Sequence, residues 1–213
     1  MNDLFHFIEE KCQEYNIDES HGLKHARGTM ERALAILDRY TIVPDDERKV
    51  VAYAAALHDI CDKKYTDVIK SSNDIRNWLI DLQGWSQEHA DAVIDIITSM
   101  SYSQLKLNSL PGVPRYPNHG KWQRAYHVAR HADLLEGFIV ARCVLYNRHI
   151  HPDWTDDQHW KRAEELFETR VFKYVAEGWI TIPAALEQVD ALEAEARRCL
   201  RERSLDWTPN GLQ

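Results

Sequence analysis

Apolar residues recur every three to four positions along almost the whole of this chain, and no stretch of useful length alternates with period two. A repeat near 3.6 lines up side chains on one face of an α-helix, whereas a half-buried strand needs strict alternation. An all-α fold is therefore expected. Leu4, Phe7, Ile8 and Cys12 predict a short first helix, and Met30, Ala33, Leu34 and Leu37 continue a second that begins near His21. Asp45, Asp46 and Glu47 place acids in the first turn of a third helix, where the helix dipole favours them. Val68, Ile75, Leu79 and Leu82 mark a helix stopped at Gly84, and Val93, Ile94, Ile97 and Met100 form the apolar face of the next.

The pattern then collapses. Pro111, Gly112, Pro114 and Pro117 predict an irregular loop over 101–120. A long helix is expected over 122–147, with Gly137 as a tolerated weak point, and His149, Ile150, His151 and Pro152 break the chain again. Two further helices are predicted near 157–176 and 183–203, with Trp154, Trp160, Trp179 and Trp207 assigned to their packing. A single domain over residues 1–213 follows, with its core at about 20–148 and a helical extension at about 153–205.

The 213 residues suffice for one substantial core, and the formal charge of −8 argues against a nonspecific duplex-binding surface. A small anionic substrate remains compatible, because a local cluster of cations and metal can reverse the field inside one cleft. The four cysteines are widely spaced with no Cys-x-x-Cys pair, which favours reduced thiols and a cytoplasmic location. No apolar run reaches the roughly 18 residues that cross a bilayer, so no membrane partner is expected.

The third helix carries the chemical signal. Its apolar run Val50 to Leu57 is closed by His58 and Asp59, then by Asp62, Lys63 and Lys64. Apolar burial gives no reason for an imidazole and a carboxylate at the end of a core helix; an ionised carboxylate there needs a cation or several donors. His25 upstream and Asp133 downstream lie on other helical segments and complete an ordered set: His, His-Asp, Asp.

That order resembles the HD-domain metal-dependent phosphohydrolase superfamily over about residues 20–148. The segment Ser101-Tyr102-Ser103, and Ala132-Asp133-Leu134-Leu135 leading to Ala141-Arg142, resemble its small nucleotide pyrophosphohydrolase branch. Members of that branch often carry His-Asp where this chain has His21-Gly22, so that acid is absent here. The resemblance implies a single helical bundle and one divalent ion held by His25, His58, Asp59 and Asp133. Mixed nitrogen and oxygen donors suit Mn²⁺ first, with Fe²⁺, Co²⁺, Ni²⁺ or Mg²⁺ admissible. It implies a general acid or base at Asp62 and a phosphate clamp at Lys64. His21, Lys106 and Arg142 are candidate substrate contacts, though His21 reads equally as an exposed helix-start residue.

The implied reaction is hydrolysis of a nucleotide, with pyrophosphate release from a nucleoside triphosphate favoured. A monophosphatase, a cyclic nucleotide phosphodiesterase and a non-catalytic nucleotide-binding protein are the alternatives, and a homodimer is allowed. Two further readings concern other residues. His127 and His131, an i, i+4 pair near Asp133, read as support for the site or as surface. Tyr102, Tyr116, Trp122 and Tyr126, beside Lys106, Arg115 and Lys121, offer a stacking surface for a base.

Overall fold

The computed structural model describes residues 2–110 and 113–207. Among these the regular structure is helical, in ten α-helices: α1 (Asn2–Glu14), α2 (Leu23–Leu37), α3 (Asp45–Leu57), α4 (Val68–Asn77), α5 (Gln87–Ser99), α6 (Tyr102–Asn108), α7 (Gln123–Glu136), α8 (Val140–Ile150), α9 (Asp156–Thr169) and α10 (Pro183–Glu202). The all-α expectation holds.

At the centre α3 packs against α2, α7 and α5. Its residues Val50, Val51, Ala54, Ala55 and Leu57 are wholly inaccessible, as expected of a helix apolar on most sides. Burying each Val or Leu side chain contributes roughly 1.5–3 kcal/mol. The alanines at 52 and 54–56 have a second effect, since short side chains let α2 and α7 approach closely. That approach brings residues from three helices into reach at the C-terminal end of α3.

Five boundaries differ from the sequence reading, the first being α9, which stops at Thr169 short of the expected 176 and is followed by a 3-10 turn over Val171–Lys173. A 3-10 turn, Glu19–His21, precedes α2, capped by the Asp18 carboxylate accepting from Ser20 N (2.9 Å), so His21 lies outside the helix. The segment from Trp78 to Leu82 widens into a π-turn, and Gly84 follows with φ 68°. Within 101–120 the first seven positions after Ser101 form α6, because Tyr102 and Leu105 bury against the core before the prolines take effect. The expected helix over 122–147 is two helices. The break falls at Gly137, where an added Cβ would stand 2.9 Å from the Leu134 carbonyl oxygen, and Ile139 is extended (φ −77°, ψ 102°) so that it and Phe138 reach the core.

The C-terminal helices share the same apolar core: Trp160, Phe167, Val171, Trp179 and Leu192 belong to one cluster with Leu57 and Leu135. Trp154 instead stacks on His151 (centroids 3.8 Å apart), and Trp207 meets the Lys24 ammonium of α2 (4.7 Å). No described helix is long and apolar enough to cross a membrane.

Candidate metal centre

His25 comes from the first turns of α2, His58 and Asp59 from the 3-10 turn that ends α3, and Asp133 from α7. The His58 ring donates from Nδ1 to the Ala55 carbonyl oxygen (2.8 Å), which fixes its tautomer and directs Nε2 inward. His25 Nε2 lies 3.2 Å from His58 Nε2, 3.2 Å from Asp59 Oδ2 and 3.5 Å from Asp133 Oδ1. His58 Nε2 lies 3.4 Å from each of the same two carboxylate oxygens. Ligands at about 2.1 Å from one octahedral ion stand about 3 Å apart along each edge, close to this spacing. His25, His58 and Asp133 form a group able to hold a metal ion.

Burial and charge support that fit. His25 is wholly inaccessible, and the buried Asp59 Oδ2 has no hydrogen-bond partner among the described residues. Two imidazole nitrogens facing each other at 3.2 Å, with two carboxylates around them, require a positive charge between them. Without an ion the proton supplies it. Burial pushes His25 down, but Asp133, Asp59 and Glu136 outweigh burial and bring it up to about 9. His58 is likewise raised against burial by Asp59 and Asp133. Burial also opposes ionisation of Asp59 and Asp133, yet the adjacent His58 and His25 hold both well below the usual carboxylate range. A divalent ion would displace these protons.

Behind His25 lies a carboxylate that the sequence reading missed. Glu136 of α7 is 2 % exposed; its Oε1 accepts from Arg32 Nε (2.5 Å), and Oε2 lies 3.7 Å from His25 Nδ1 with no hydrogen-bond partner among the described residues. Arg32 is equally buried and also reaches Gln188 of α10 (3.2 Å). A Cβ at Gly28 would stand 2.7 Å from Glu136 Oε2, so glycine there makes room for the acid. Arg32 compensates Glu136, leaving the two aspartates for a cation. The sequence signal available was a glycine inside α2 one turn before a buried-face arginine.

The centre forms part of the wall of a cavity of about 530 Å³. Asp62, Lys64, His21 and Arg142 also line it, so four of the five further candidates reach the site. Asp62 accepts from Lys64 N (3.0 Å) and pairs with its ammonium (3.3 Å), while that ammonium donates to His21 Nε2 (2.9 Å). Burial lowers His21 and so keeps it neutral and able to accept. Arg142 donates from Nε to the Ser20 carbonyl oxygen (2.7 Å) and has no carboxylate partner among the described residues.

The fifth candidate, Lys106, does not reach the cavity. It is turned outward on α6 toward the Tyr102 hydroxyl (3.1 Å) and Glu177 (3.5 Å). The proposed stacking surface also dissolves: Tyr126 and Trp122 are core residues, Tyr116 packs on His127, and only Tyr102 lines the cavity. Lys121 pairs with Glu88 instead.

His131 proves structural rather than surface. It donates from Nδ1 to the His127 carbonyl oxygen (2.6 Å) and accepts at Nε2 from Thr181 N (2.9 Å), tying the strand-like approach to α10 onto α7. Burial, with Arg130 beside it, pushes His131 down to about 3.

No protein-family model and no curated protein matches the chain. Among solved structures, it is similar to a crystal structure of a Lactobacillus plantarum protein solved as a structural-genomics target. The two are 19% identical, with a TM-score of 0.67 over 96% of this chain and 94% of that one. At that identity the likeness concerns the fold alone.

Proposed function

We propose that this protein is a metal-dependent phosphohydrolase of the HD type acting on nucleotides, with release of pyrophosphate from nucleoside triphosphates as the favoured reaction. The observation carrying this reading is the convergence of His25, His58, Asp59 and Asp133 from three helical segments, with the last three lining a cavity that Lys64 and Arg142 also line and His25 buried directly behind them. The donor set of two imidazoles and two carboxylates suits Mn²⁺ and its neighbours. A bound ion would acidify water and polarise a phosphoryl oxygen.

The remaining tasks fall to the chain. Asp62, which also lines the cavity, would take the proton from the attacking water as a new P–O bond forms and the bridging P–O bond breaks. Lys64, oriented by Asp62 and His21, and Arg142, tied to the Ser20 carbonyl oxygen, would neutralise the departing pyrophosphate. Thr29 Oγ1, 3.2 Å from His25 Nδ1, would orient the His25 ring, with the Glu136 charge behind it.

The test is a screen of nucleotides against Mn²⁺, Mg²⁺, Co²⁺ and Ni²⁺, reading the phosphorus-containing products. Pyrophosphate together with the nucleoside monophosphate is expected from triphosphates; orthophosphate from a monophosphate, or a linear monophosphate from a cyclic nucleotide, would indicate the other hydrolytic reactions. His58→Ala and Asp59→Ala should abolish metal-stimulated turnover with the helical spectrum retained. Undiminished activity in either, or tight nucleotide binding without turnover under every ion, would refute the reading.

A further inference from the structure

The cavity has a second cationic wall, and the C-terminal extension supplies it. Arg162, Leu166 and Arg170 recur at intervals of four along α9 and its C-cap, and all three line the cavity. From α8, Arg142, Cys143 and Tyr146 line the same space. Arg170 is held in place: its Nε donates to the Tyr174 hydroxyl (2.9 Å) and its guanidinium lies 4.2 Å from the Tyr102 ring centroid. Neither Arg170 nor Arg142 has a carboxylate partner among the described residues, and Arg162 meets only the exposed Glu165 at 3.5 Å. All three arginines line this one cavity. All three bear on the Cys143 thiol, and all oppose the burial that pushes it up to about 11.

The three aspartates that line the same cavity face His25, His58 and Lys64 instead, so among the described residues Arg142 and Arg170 stand there without an acid of their own. A packing role accounts for Arg170 on its tyrosines but not for Arg162, whose side chain is 52% exposed. Arginine presents a planar fork of donors suited to phosphate oxygens, and its affinity rises where the site is partly shielded from water.

We propose that Arg162 and Arg170 of the C-terminal extension, with Arg142, form a second anion subsite that binds the phosphates of a polyphosphorylated substrate remote from the reacting phosphorus. The inference rests on the phosphohydrolase reading and sharpens it: the substrate class is one carrying two or more linked phosphates, and α9 is part of the binding site. A substrate with a single phosphate would engage the metal centre alone.

The experiment is calorimetric titration of inorganic tripolyphosphate and of orthophosphate into the full-length protein in excess chelator. Because no ion and no turnover are involved, its outcome is independent of hydrolysis. Wild-type protein should bind tripolyphosphate more tightly than orthophosphate. Arg162→Gln and Arg170→Gln should each weaken tripolyphosphate about tenfold, the loss of one charge-assisted contact of about 1.4 kcal/mol. Arg170→Lys should recover part of that loss only. Should Arg170→Gln fail to fold because Tyr174 loses its partner, the exposed Arg162→Gln decides alone. Tripolyphosphate bound equally by wild type and Arg162→Gln, or bound no better than orthophosphate, would overturn the proposal. Arginine-dependent binding in a protein that hydrolyses no nucleotide would support the subsite and remove the hydrolase reading.

Discussion

Replacing Gly28 by alanine tests the layer behind the metal centre. In an exposed helix this change is favourable by about 1 kcal/mol, because alanine loses less backbone entropy. Here the new Cβ would stand 2.7 Å from Glu136 Oε2 and 2.9 Å from its Cδ. A free carboxylate would swing aside at little cost. Glu136 is instead 2 % exposed and bonded to an equally buried Arg32, so moving it disrupts a buried ion pair. Breaking such a pair costs about 3–5 kcal/mol. The expected balance is a destabilisation of about 2–4 kcal/mol, measured as a lowered urea midpoint with unchanged m-value. In a Glu136→Ala background the obstacle is gone, and Gly28→Ala should become neutral or stabilising by up to about 1 kcal/mol. A Gly28→Ala protein more stable than wild type, or no change of sign between the two backgrounds, would refute the argument.

Two histidines should give opposite pH dependences. His131, held down to about 3 in the folded state, binds fewer protons than in the unfolded chain between about pH 6.5 and 3. Stability should therefore fall on acidification through that window by up to about 1.4 kcal/mol per pH unit, and His131→Gln should flatten this limb in urea titrations. His25, brought up to about 9, contributes its stability below pH 6.5 and loses it as pH rises through 9. Metal-free protein should weaken over that range while Mn²⁺ affinity rises; affinity independent of pH would exclude His25 as a ligand. Lys106→Ala should leave the nucleotide KM within about twofold, since the side chain is turned away from the cavity; a larger rise would return Lys106 to the site.

The ligand positions were legible because they break a rule: His58 and Asp59 stand where an apolar helix gives no local reason for polarity. Other features were invisible for definite reasons. Asp18 stands beside Glu19, and Glu136 follows Asp133 by three residues; only their partners, Ser20 and Tyr65 for one and Arg32 for the other, show that they are structural. The break after Gly137 was hidden because a glycine inside a periodic helix is usually tolerated; the pull of Phe138 and Ile139 into the core decides it. Nothing local sets Arg162 and Arg170 apart from their charged neighbours, and α6 was obscured by the prolines that follow it.

The one-dimensional pattern determined what local physics controls: helical period, the apolar character of α3, and donor types placed where burial would leave them unsatisfied. Tertiary packing alone decided which charges met. Lys64 and Lys106 are the same residue type at positions of similar local character, yet one lines the cavity beside His21 and the other points away toward Glu177. Periodicity tells which side of its own helix a side chain occupies; what stands opposite depends on helix–helix approach, which is set by residues elsewhere in the chain.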